Sequence, residues 1–314
     1  MPLALVPRPM ARGLIAALAL LSAPALAAAQ GLTVQPVADG IWAIVGEMSQ
    51  RSPENLGNNA TFGLVETADG AVLIDPGGSW KGAAALHDAI RTVTDAPVRY
   101  VIDTGGQDHR WLGNGYWQAQ GATVIASAAA VEDQKARGSM QLTMLSALIG
   151  DDGLAGTEPA YADVIFDDAH RLELGGVTLD IIHPGPAHTP GDSFVWAPAS
   201  RTVFTGDIVY AERILGVGDQ SSITHWPAAF EALAALDPVH VAPGHGHATD
   251  LARARADTYD YLMNLRARIG ALIEDGGDII DAPSVDQSAF SYLLEFDGLA
   301  GRNAQTAYQQ MEWE

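Results

Sequence analysis

Thr104-Gly-Gly-Gln-Asp-His-Arg-Trp-Leu-Gly-Asn114 is the stretch on which the reading of this chain turns. It follows Val98-Arg-Tyr-Val-Ile-Asp103, whose Val, Tyr and Ile suit a buried strand. It runs into residues 112–121, which suit a short helix. A strand, a polar loop of Gly, Asp and His, then a helix is a common way to hold a reactive site at a strand end. Three later loops have the same setting, each after an apolar run. Pro186-Ala-His188-Thr-Pro-Gly-Asp192 comes after Val177–Ile182, Thr205-Gly-Asp207 after Thr202–Phe204, and Pro243-Gly-His245-Gly-His247 after 239–242.

Taken together, the four loops resemble the metal-ligand loops of the metallo-β-lactamase superfamily, in the usual order and at ordinary spacing, over roughly residues 32–275. The resemblance implies an α/β fold, a four-layer αββα sandwich, and a zinc-dependent hydrolytic site. His188, Asp207 and His245 match the three later family ligands residue by residue. The first loop departs. Members usually carry Thr-His-x-His-x-Asp-His there. Aligned without gaps on Thr104 and Gly113-Asn114, this chain has Gly105 and Gln107 at the first two histidines, His109 at the Asp and Arg110 at the last His. A compensated one-residue shift would instead match Asp108-His109 to the family's Asp-His pair. The ungapped register needs no paired insertion and deletion and is preferred, but in both His109 survives as a candidate ligand.

Imidazoles and carboxylates suit zinc, which lowers the pKa of bound water to about 7. His109, Asp207 and His245 therefore make a candidate single site, with Asp108 joining it in the shifted register. His188 is a further metal candidate or a proton carrier, and Asp207 and His188 are the candidate catalytic residues. One zinc ion at most is expected, because Gly105 has no side chain and an amide such as Gln107 is a poor zinc ligand. Arg110 suggests a substitute cation paired with Asp207, or else an Arg turned to solvent. On that view histidines at 105, 107 and 110 would rebuild a second site. By resemblance Asp75, after the strand at 71–74, buttresses the loops by hydrogen bonding. Tyr210 and Arg213 fall where members place substrate-contacting residues, and His247 reads as a surface or supporting residue.

Residues 1–29 read as a secretory signal peptide. Arg8 and Arg12 precede the apolar run 14–21, and Ala25-Leu-Ala27 and Ala27-Ala-Ala29 fit small-x-small cleavage. A periplasmic address follows, with no membrane attachment after cleavage. Removing the two arginines from 17 basic residues leaves 15 against 38 acidic ones, a net charge near −23. Such a surface repels nucleic acid and anionic lipid and argues against a highly anionic substrate. The absence of Cys fits an oxidising compartment and excludes a thiolate ligand or nucleophile. No Gly-x-Ser-x-Gly elbow surrounds Ser193, which argues against a serine hydrolase.

Along the chain, strands are expected at 34–45, 61–66, 71–74, 98–103, 122–126 and repeatedly through 164–209. Helices are expected at 83–93, 128–148, 227–236 and 251–273, with a surface loop or small lid at 150–161. Strand runs and helices recur in two halves, as two sheets packed face to face would require. The domain spans 30–275, and 276–314 read as a C-terminal extension with one short helix at 284–294. Two functions stay open. One is a hydrolase that cleaves an ester, thioester, lactone or amide of a small metabolite by metal-bound hydroxide. The other is a non-catalytic periplasmic descendant that binds a metabolite or a protein. The oligomeric state is not legible.

Overall fold

The computed structural model describes residues 31–313, so the signal-peptide reading of 1–29 lies outside the described residues. Seven strands form the first sheet in chain order. They are β1 (Thr33–Ala38), β2 (Ile41–Val45), β3 (Thr61–Thr67), β4 (Gly70–Ile74), β5 (Val98–Ile102), β6 (Thr123–Ser127) and β7 (Val164–Phe166). The first four are antiparallel neighbours, and β4 to β7 run parallel. The second sheet has the order β12-β11-β10-β9-β8. Its strands are β8 (Ala169–Leu174), β9 (Val177–Ile182), β10 (Phe194–Ala197), β11 (Thr202–Phe204) and β12 (His240–Ala242).

Continuous apolar runs explain the middle of the stack. All five residues of β4, Gly-Ala-Val-Leu-Ile, are buried, as befits a strand covered on both faces. Val65, Val72, Ile74, Ile102 and Ile125 of the first sheet meet Leu179, Ile181, Val195 and Phe204 of the second in one dry layer. Leu64, Leu73 and Val101 point the other way, under helix α1 (Trp80–Ile90) and Trp117 of α2 (Asn114–Ala119). The outer face of the second sheet is covered by α4 (Trp226–Ala234), α6 (Asp260–Glu274) and α7 (Phe296–Met311), through Phe230, Leu265 and Ala304 among others. The architecture is the four-layer αββα sandwich.

Three elements differ from expectation. α3 (Ala128–Leu154) runs past 148 into the expected loop, bending at Gly150, whose φ of 76° breaks the helical path. The helix expected at 251–273 is interrupted. α5 (Leu251–Ala254) passes through a wide turn, Arg255–Tyr259, before α6. That turn aims Thr258 at both backbone groups of Tyr210 (2.9 and 2.7 Å) and Asp257 at the Glu212 amide (2.7 Å), fastening the loop after Asp207. The C-terminal helix is α7, not 284–294, where Asp286 instead caps a short turn through Ser288 N and Oγ. Leu299, Ala300, Asn303, Ala304, Ala307 and Tyr308 give α7 a buried stripe spaced by three and four. Half of the stripe is alanine, a weak signal. The apolar ones share one core with Phe230 and Leu265, so α7 is built into the second half.

Candidate active site

Loops at the ends of β4, β5, β11 and β12 meet at one edge of the sandwich. Asp75 ends β4 in a left-handed turn (φ 66°) and is buried. Its Oδ1 accepts from Thr104 N and Thr104 Oγ1, both at 2.8 Å, which locks the loop after β5 onto β4. His109 and Arg110 follow in a single helical turn, Asp108–Arg110. Asp207 sits in a similar turn, Gly206–Ile208, after β11.

Arg110 is completely buried and occupies the middle of this edge. Nη1 donates to Asp75 Oδ2 (2.6 Å) and the Thr61 carbonyl (3.1 Å). Nη2 donates to Asp207 Oδ1 and the Gly244 carbonyl, both at 2.8 Å. Gly244 is required by this approach: a Cβ there would lie 2.7 Å from Arg110 Nη2 and 2.3 Å from the Gly206 carbonyl. Burial alone would lower the Arg110 pKa and raise that of Asp207. Their mutual attraction outweighs it, holding the guanidinium above and the carboxyl well below their ordinary values. Asp207 thus stays ionised in the dry interior.

Two imidazoles complete the ring around Asp207. His109 Nε2 lies 3.2 Å from Oδ2, and His245 Nε2 lies 3.1 Å from Oδ1. One donor atom from each of His109, Asp207 and His245 falls within 4.8 Å of the others, a group that could hold a metal ion. Two imidazoles and a carboxylate suit zinc in chemistry and fit a single ion. The far sides of the rings set a condition on that fit. Arg51 Nη2 donates to His109 Nδ1 at 2.9 Å, and Arg213 Nη1 donates to His245 Nδ1 at 3.1 Å. A guanidinium only donates, so His245 accepts at Nδ1 and carries its proton on Nε2, facing Asp207. Arg51 favours the same tautomer at His109, where Asp108 Oδ1, 3.2 Å from Nδ1, competes as an acceptor for an Nδ1 proton. Imidazoles that ligate through Nε2 normally donate from Nδ1 to a carboxylate or carbonyl. At His245 an ion at Nε2 and the Arg213 guanidinium at Nδ1 therefore compete for one lone pair, whereas His109 Nδ1 has both Arg51 and the Asp108 carboxylate beside it.

The remaining sequence candidates separate cleanly. Asp108 pairs with Arg51 and accepts from His109 N (2.8 Å), and no oxygen of it is among the clustered donors. Burial works to raise its pKa, and Arg51 with His109 outweighs this, keeping it ionised. His188 also lies outside the cluster. It donates from Nδ1 to the Gly216 carbonyl (3.0 Å), which leaves the lone pair on Nε2. Tyr210 stacks on His245 with ring centres 4.5 Å apart. His247 is at the surface, paired with Glu212 at 2.7 Å. Trp111 is fully buried, donating to Gln141 and stacking on Tyr161, and does not reach the site.

Burial pushes the His188 pKa down to about 4. An unfolded His binds a proton below about 6.5, and the folded one does not until about 4. Stability from this group is therefore complete above pH 6.5 and lost as pH falls toward 4, by on the order of 3 kcal/mol. In urea titrations at stepped pH, His188→Gln should flatten that part of the profile. Parallel profiles for the two proteins would refute the assignment.

The sequence reading missed Arg51, Arg137 and Arg302, which join Arg213 along a cavity of about 440 Å³ in front of His109 and His245. Only Arg51 left a signal: it is the single cation in the polar stretch 46–59.

A family model described as the metallo-beta-lactamase superfamily matches residues 57–245. Among solved structures, a metallo-beta-lactamase from Pontibacter korlensis is similar at TM-score 0.58 and 23% identity, covering 74% of this chain and 99% of that one. The DIM-1 metallo-beta-lactamase gives 0.56 and 20%, covering 73% and 95%. The FIM-1 enzyme of Pseudomonas aeruginosa, in a mono-zinc form, gives 0.54 and 21%, covering 70% and 89%. An uncharacterized protein of Mycobacterium leprae is 34% identical over 103 residues, 31% of this chain and 46% of that protein. The chain thus spans about half the length of that curated relative. With the model match covering more than half the sequence and the same sandwich beneath it, the chain belongs to the metallo-β-lactamase superfamily.

Proposed function

We propose that this chain is a periplasmic hydrolase with a reduced, one-ion site, acting on an ester, thioester, lactone or amide of a small metabolite. The observation that carries the reading is the convergence of His109, Asp207 and His245 beside a cavity of metabolite size. A one-ion state has a parallel in the similar FIM-1 enzyme, whose structure is a mono-zinc form. The periplasmic address rests on the signal-like segment 1–29.

When bound, zinc would polarise the scissile carbonyl and make water a nucleophile near neutral pH. His109 Nε2, His245 Nε2 and an Asp207 oxygen would hold it. Arg110 keeps Asp207 ionised and fixed between the two rings. His188, neutral at physiological pH, offers its Nε2 lone pair as proton acceptor on the cleft wall. Tyr210 holds the His245 ring by stacking.

Elemental analysis of chelator-washed protein redialysed against zinc should give at most one equivalent, and none for His245→Ala. Hydrolysis of a p-nitrophenyl ester should disappear with it. Two equivalents would overturn the reduced site. Hydrolysis surviving in metal-free protein would overturn the role of the ion. The guanidiniums on both rings favour the other reading, a non-catalytic metabolite binder, and zero equivalents without hydrolysis would select it.

A further inference from the structure

The charge of the cavity runs against the charge of the chain. Over the whole sequence, acidic residues outnumber basic ones 38 to 17. Around the cavity stand Arg51, Arg137, Arg213 and Arg302, against the single carboxylate Asp108. Asp108 is already taken by Arg51, and Arg137 is paired with Asp133. Two cations are left over, and they differ in kind.

Arg213 is 6% exposed. Its hydrogen bond goes to a neutral ring nitrogen, His245 Nδ1, and its buried Nε has no partner. Among the described residues no carboxylate lies within the 4.0 Å of an ion pair. A buried guanidinium without a counter-charge is costly, and burial lowers its pKa accordingly. Arg302 is exposed on α7 and likewise has no ion-pair partner among the described residues. It is held at the cavity rim because its neighbour Asn303 is pinned to the loop beyond Arg213. Asn303 Oδ1 accepts from Val217 N, and its Nδ2 donates to the Leu215 carbonyl, both at 2.8 Å.

The opposite wall is apolar. Met140, Met144 and Leu148 recur every four residues on α3, 52%, 56% and 40% exposed, and all three line the cavity. Large apolar side chains left open to water along one side of a cavity mark the resting place of apolar ligand surface, and Met adapts to varied shapes.

We infer that the cleft takes a monocarboxylate with an apolar alkyl or aryl body, its carboxylate held by Arg213 and Arg302 and its body laid on Met140, Met144 and Leu148. Arg fits a carboxylate through two parallel N–H donors, which a point charge cannot match. The acidic surface repels polyanions at long range. A single negative charge with an apolar body passes that field and meets the two guanidiniums of the cleft that no carboxylate neutralises among the described residues. The inference names a substrate class for the hydrolase proposed above and so rests on that reading, but the binding itself needs neither metal nor turnover.

The test is calorimetric titration of the mature, chelator-washed protein with octanoate, octanamide, acetate and inorganic phosphate. Octanoate should bind at least tenfold more tightly than octanamide, which lacks the charge, and than acetate, which lacks the body. Arg213→Gln should weaken octanoate at least tenfold. Arg302→Gln, at an exposed position that folding tolerates, should weaken it several-fold, and Met144→Glu should do the same from the apolar wall. Equal binding of octanoate and octanamide, tighter binding of phosphate, or indifference to both arginine variants would each overturn the inference. Octanoate binding without any esterase activity would remove the hydrolase and leave this site standing. Esterase activity without octanoate binding would do the reverse.

Discussion

Replacing Arg110 by Ala should lower the unfolding free energy by about 3–5 kcal/mol, the cost of removing one partner from a buried ion network. The size follows from what the side chain does. It is fully buried and donates to two carboxylates and two backbone carbonyls. Its loss leaves Asp75 and Asp207 facing each other with no cation between them, and strands the Thr61 and Gly244 carbonyls. Burial already pushes the Asp75 pKa up with Arg110 in place. Without it one carboxyl takes a proton, which limits the damage without cancelling it. Arg110→Lys should fall between, since an ammonium keeps the charge but cannot reach four acceptors through a flat fork. Urea unfolding followed by Trp fluorescence measures both. A loss below about 1 kcal/mol for the Ala variant would mean that the network is worth no more than a surface pair, and the central position given to Arg110 would fall.

How much of this was legible beforehand depends on how far the signal lies from the residue that uses it. The sandwich was legible because strand patterns, loops and helices repeat in two halves, and each half closes its own sheet. His109, Asp207 and His245 could be named because their loops, each after an apolar strand, resemble the family's metal-ligand loops in order and spacing. Arg110 against Asp207 could be named as an option, since a cation was the natural substitute for a lost one. The choice between that pairing and a solvent-facing Arg depends on Asp75 and the carbonyls of Thr61 and Gly244, contributed by three other segments. Arg51 acts on His109 across 58 positions of sequence, and Arg302 arrives on a helix that the sequence reading placed at 284–294. Net charge misled in a similar way. It averages over a surface, whereas a ligand meets only the few side chains of one cleft. Packing at position 105 opposes the expected rebuilding of a second site by histidines at 105, 107 and 110. A Cβ at Gly105 would lie 2.5 Å from Asp192 Oδ1 and 3.2 Å from Thr189 Oγ1, and those two groups are tied to each other. Gly105 is not an empty slot awaiting an imidazole, because Asp192 fills it.

The guanidiniums on the two rings lead to a second large effect, of opposite sign. The double variant Arg51→Gln, Arg213→Gln should bind zinc about 10–100-fold more tightly than the parent, the range over which outer partners of ligating imidazoles shift metal affinity. That span is about 1.4–2.8 kcal/mol. The reason is the direction of two hydrogen bonds. In the parent, Arg213 donates to Nδ1 of His245 and holds its proton on Nε2, and Arg51 acts the same way on His109 against the pull of Asp108 Oδ1, 3.2 Å from that Nδ1. A Gln side-chain oxygen can accept from Nδ1–H instead, which moves the proton to the outer nitrogen and frees Nε2 for an ion. Removing two positive charges from beside the cation acts in the same direction. Competition against a chromophoric chelator, at fixed pH and ionic strength, reads the affinity directly. Unchanged or weaker zinc binding would show that the arginines do not compete with the ion for the rings. The Arg213→Gln single variant makes the argument sharper, since it should lose octanoate while gaining zinc. A variant that was merely unstable would lose both, so opposite signs in one protein isolate Arg213 as the residue that sets which charge the cleft accepts.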